Sequence, residues 1–69
     1  MIVGYNKVNS EGKTEQIIHQ ECSTREEAIE VAEALVLASV DDETITEVLR
    51  GVRYSDTEVD YNVVYEIPR

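Results

Sequence analysis

The chain predicts an α+β fold of order β-β-α-β-β, in which one amphipathic helix packs on a mostly antiparallel sheet. Three patterns predict it: a capped run of helical periodicity after Ser23, a strictly alternating run over 58–67, and a hairpin pattern before residue 21. The 69 residues predict one small domain spanning 1–69. A chain this short buries only about 60% of its unfolded surface, so its core is marginal without a staple, a metal or a partner.

Ile2-Val3-Gly4-Tyr5-Asn6-Lys7-Val8 predicts the first strand, with Gly4 weakening it or marking a bulge. Asn9-Ser10-Glu11-Gly12 predicts a turn, Gly12 supplying a positive φ, and residues 14–20 the returning strand. Ser23-Thr24-Arg25-Glu26-Glu27 carries two overlapping capping boxes, Ser23 with Glu26 and Thr24 with Glu27, and its glutamates suit the positive end of a helix dipole. A helix over 25–39 follows. At 100° per residue Ala28, Ile29, Ala32, Leu35, Val36 and Ser39 share one face, and Glu26, Glu30 and Glu33 share another.

The second half of that helix departs from the pattern. Ala34 to Val40 contains no charge, and Leu37 projects on the glutamate side. A sheet covers one side of a helix only, so this run predicts a second contact, made with another copy or with a partner protein. Asp41-Asp42-Glu43 ends the helix.

Residues 44–54 support two readings. Ile45, Val48, Leu49 and Val52 fit helical spacing with Gly51 after the end, whereas Thr44, Ile45, Thr46, Val48, Val52 and Tyr54 favour a strand. The alternating run 58–67 needs a neighbour, and Ser55-Asp56-Thr57 is a turn between two matched strands, so strand is the expectation. The alternation places Val59, Tyr61, Val63, Tyr65 and Ile67 together on the core side. Pro68 ends the strand.

Fifteen acids face six bases, for a net charge of −9. The charge is concentrated: residues 21–47 hold nine acids against Arg25 alone, whereas residues 1–20 are neutral. Direct nucleic-acid binding and adsorption to anionic membranes both need a basic face, so neither is expected. The first residues lack a basic start and an apolar run, and no stretch approaches the ~18 residues of a membrane span, which predicts a cytoplasmic protein.

Little chemistry is legible. Cys22 is the only cysteine and His19 the only histidine, three residues apart. No disulfide can close within the chain, and a four-ligand zinc site needs more Cys and His than these two. A Cys–His dyad is conceivable at this spacing, but a structural thiol and a solvent-facing histidine are the simpler expectation. Asp41-Asp42-Glu43 lacks the alternating oxygen ligands and central glycine of a calcium loop, and the three glycines are too dispersed for a phosphate loop. No catalytic, cofactor-binding or metal-binding residue is therefore predicted.

The expected function is that of a small, non-enzymatic interaction protein, forming a homodimer or a complex with another protein. Its candidate partner-binding residues are Glu26, Glu30, Glu33, Leu37, Asp41, Asp42 and Glu43. One alternative is mimicry. In size and charge alone the chain is similar to small acidic phage-type inhibitors, which set carboxylates where a nucleic-acid-binding protein expects phosphates. A second alternative is a small-ligand binder or enzyme whose site carries no motif.

Overall fold

The computed structural model describes residues 1–69. Strands β1 (Ile2–Val8) and β2 (Thr14–Glu21) precede helix α1 (Arg25–Ser39), and β3 (Ile45–Arg53) and β4 (Val59–Glu66) follow it. The expected order holds, and the ambiguous segment is a strand, Ile45–Arg53, rather than a helix. The four strands form one sheet in the order β2-β1-β3-β4, with every adjacent pair antiparallel. β2 and β3 consequently run parallel with β1 between them, and α1 is the crossover joining them across one face.

Local chemistry sets the element ends. Asn9 Oδ1 accepts from the main-chain N–H of Glu11 and Lys13, and Gly12 takes a φ of 79°, closing the first hairpin. Of the two candidate caps the helix uses Thr24, whose Oγ1 accepts from the Glu27 N–H at 3.1 Å, while Glu27 reaches back to the N–H of Ser23. At the other end no basic residue lies in the last turn. Arg69 supplies the charge from a distance: its guanidinium donates to the carbonyl oxygens of Ser39, Asp42 and Ile45. The carbonyls of Ser39 and Asp42 already accept from the main-chain N–H of Asp42 and Ile45, so the cation adds a charged donor there and opposes the negative end of the helix dipole.

Between helix and sheet lies a core of Val3, Cys22, Ala28, Ala32 and Val48, edged by Met1, Val31, Leu35, Val36, Tyr65 and Ile67. Small Ala28 and Ala32, both fully buried, let the helix approach the two central strands closely. Ser39, also fully buried, donates from Oγ to the Leu35 carbonyl, a bond within its own helix. Arg50 projects into the helix side as well. It is 8% exposed, and its Nε donates to the Tyr65 hydroxyl at 3.1 Å.

Three bulges interrupt the sheet, and they decide which side chains share a face. The extra residues are His19 on β2, Thr46 on β3 and Asn62 on β4. Register across the third corrects the expectation for β4: Val63 pairs with Arg50, but Tyr61 pairs with Gly51, on the opposite face. Tyr65 and Ile67 join the core as expected, whereas Tyr61 lies on the side away from the helix. The bulge at His19 separates Glu21 from Ile17 in the same way: Ile17 pairs with Tyr5, the ring that His19 stands against, whereas Glu21 pairs with Ile2 on the opposite face.

Candidate interaction surfaces

The molecule measures 30 × 24 × 15 Å, its thinnest dimension being one helix layer on one sheet. The sheet therefore has a second, uncovered face. Register assembles it from all four strands: Ile18 of β2, Ile2 and Gly4 of β1, Leu49 and Gly51 of β3, and Tyr61 and Val64 of β4. Ile2 and Leu49 are shielded by their neighbours, but the two residues on the edge strands are not: Ile18 is 50% exposed and Val64 54%.

Tyr61 lies flat across this surface because two glycines make room for it. Its hydroxyl is 2.5 Å from where a Cβ on Gly4 would sit. That hydroxyl is buried and has no hydrogen-bond partner. Burial pushes its pKa up, against a smaller opposing pull from the Arg53 guanidinium. A buried hydroxyl without a partner costs about 1–3 kcal/mol. Tyr61→Phe should therefore leave the fold intact and raise its stability by about 1 kcal/mol in urea denaturation; a loss of that size would mean the hydroxyl has an unseen partner.

Charges bound the stripe at both ends. Arg53 approaches Glu21 at 3.8 Å at one end, the only ion pair in the molecule. At the other end Glu47 and Glu66 are cross-strand partners, and the only hydrogen bond either side chain makes is from Asn6 Nδ2 to Glu47 Oε1. Like charges placed directly opposite destabilise a sheet.

The residues expected from the sequence lie on the other layer. Glu26, Glu30, Glu33 and Leu37 form one exposed stripe along α1, and Leu37 is 73% exposed. Ala34 and Ala38 are exposed beside it, whereas Val31, Leu35 and Val36 turn into the core. Asp41 and Glu43 are exposed in the following turn, but Asp42 is built into that turn. Its carboxylate accepts from the N–H and hydroxyl of Thr44, bonds that hold its pKa below the usual carboxylate range.

Neither Cys22 nor His19 approaches the other's chemistry. Cys22 is buried, its thiol pKa raised by burial and then by Glu27, and its nearest polar partner is Gln20 Nε2 at 3.8 Å. A thiol held protonated is a poor nucleophile. His19 stands edge-on to Tyr5 with ring centroids 6.2 Å apart. No three His, Cys, Asp or Glu side chains converge as a metal site, and no pocket opens on the surface. No helix is long and apolar enough to cross a membrane.

These features define a two-layer α+β domain with one sheet face uncovered. Comparison with protein-family models, characterised proteins and solved structures finds no match to the chain.

Proposed function

We propose that the protein is a small acidic interaction module of the cytoplasm, non-enzymatic, acting through contacts with another protein or with itself. The observation that carries this reading is the uncovered sheet face, where half-exposed Ile18 and Val64 flank Tyr61 across four strands. Contiguous apolar surface rimmed by charge marks contact sites. Leu37, exposed on the helix layer, supports the reading from the opposite side. Photo-crosslinking residues placed singly at Val64, Leu37 and, as a control, Glu11 in the first turn test it in lysate of the native host. Val64 or Leu37 should yield a discrete adduct that Glu11 does not. Equal, diffuse background at all three would overturn the reading.

The acidic helix face supports mimicry as a second reading. Glu26, Glu30 and Glu33 are exposed on one side of α1 and none is ion-paired. Helical rise sets successive carboxylates about 6 and 4.5 Å apart along the axis, a rigid row of charge. If that row occupies a nucleic-acid groove, reversing all three charges should slow association with the basic partner severalfold, and the wild-type rate should fall steeply as salt passes about 0.15 M. A rate indifferent to both changes removes mimicry by this face.

A further inference from the structure

The uncovered sheet face has a composition that fits one occupant in particular. We propose that a second copy of the chain packs against it face to face, about a two-fold axis running across the strands, with Arg53 of each copy set on Glu47 of the other. This rests on the interaction reading above and names its partner.

The charge pattern selects that arrangement. On β3 the face reads Glu47, Leu49, Gly51, Arg53, so acid and base lie three residues either side of Arg50, which points the other way. A two-fold axis across the strands near Arg50 superposes each end of one copy on the opposite end of the other. Leu49 and Tyr61 of one copy then meet Gly51 and Val64 of the other, Glu21 falls over Ile18, and Arg53 meets the Glu47/Glu66 pair that has no cation in its own chain. An axis along the strands would instead stack acid on acid.

Two other modes of self-association meet repulsion. Pairing the helix faces would oppose two rows of glutamates, because Glu26, Glu30 and Glu33 share the side from which Leu37 projects. Extending the sheet through β4, antiparallel about Val63, would set Asp60 against Glu66 of the second strand. In the face-to-face arrangement both helices, and the acids they carry, lie outermost.

The size is sufficient. Four strands at ~4.8 Å and eight residues at ~3.3 Å give a face of about 500 Å². Two such faces together reach the about 1,000 Å² that a specific interface needs. Stacked sheets about 10 Å apart accommodate side chains of the size of Ile18 and Val64.

Sedimentation equilibrium across 1–100 µM tests the proposal on the full chain, with circular dichroism confirming that each variant is folded. The wild type should be a dimer. Arg53→Glu and Glu47→Arg should each weaken it by about tenfold or more, and the two together should recover most of the loss. Ile18→Glu, on an edge strand where folding tolerates it, should give a monomer, while Leu37→Glu should remain dimeric. A wild-type monomer throughout, failure of the double reversal to recover, or dissociation by Leu37→Glu would each overturn the proposal. If the wild type is a monomer yet Val64 crosslinks a different protein, the interaction reading stands and only the second copy falls.

Discussion

Gly51→Ala should cost about 3 kcal/mol, among the largest losses available to a single methyl group here. The reason is main chain rather than side chain. At the β4 bulge the backbone folds over Gly51, and a Cβ there would press on the Asp60 carbonyl and lie 2.6 Å from the Tyr61 Cα. Backbone cannot rotate aside as a side chain can, so the strands must separate or the bulge must move. A domain of this size has about 3–10 kcal/mol of stability in total. Equilibrium urea denaturation should show about a third or more of that lost. Gly12→Ala is the control: φ is 79° but nothing lies within 4 Å, so the cost should be only the left-handed backbone term, about 1–2 kcal/mol. A loss at Gly51 no greater than that at Gly12 would mean that β4 is free to shift register.

Ala32→Leu should destabilise by about 2–3 kcal/mol. Ala32 is fully buried in the layer formed by Val3, Ala28 and Val48, and three added carbons have no room unless the helix lifts from the sheet. The far end of the helix is tied by Arg69, which donates to the Ser39 carbonyl and resists that lift. The same enlargement at Ala34, which is exposed, should change stability by less than about 0.5 kcal/mol. Similar losses at both sites would contradict the placement of the helix.

Most of the architecture was legible because each element carries its own local signal. The overlapping capping boxes located the helix, and Asn9 with Gly12 located the first turn. The 44–54 segment resolved as strand because β1 and β4 both need a partner there, a demand that helical spacing within the segment does not reveal. Gly4 was legible as a bulge signal, but Gly51, read as a residue after a possible helix end, marks a second one.

What was not legible is what bulges change. An extra residue at Asn62 reverses the faces of everything before it, so alternation alone placed Tyr61 in the core beside Tyr65. The uncovered face was missed for the same reason. Ile2, Ile18, Leu49 and Val64 come from four strands, and only register brings them together. Their trace in the sequence is that each adjoins another apolar residue: Val3, Ile17, Val48 and Val63. Paired apolar residues in a strand point to both faces, and both faces then need cover. On the helix, Leu37's isolation from the core follows from angle alone and the side chain is exposed, but Asp42 is occupied with shaping its own turn.

The central claim, that the sheet face away from the helix is the contact surface, is tested most directly by following methyl and amide resonances as concentration rises from 10 µM to 1 mM. Shifts confined to Ile18, Leu49, Tyr61, Val64 and Arg53, with Leu37 and the helix glutamates unmoved, are the result expected of this face. Shifts centred on Leu37 instead, or a spectrum independent of concentration with Ile18 and Val64 methyls fully open to a soluble paramagnetic probe, would contradict it.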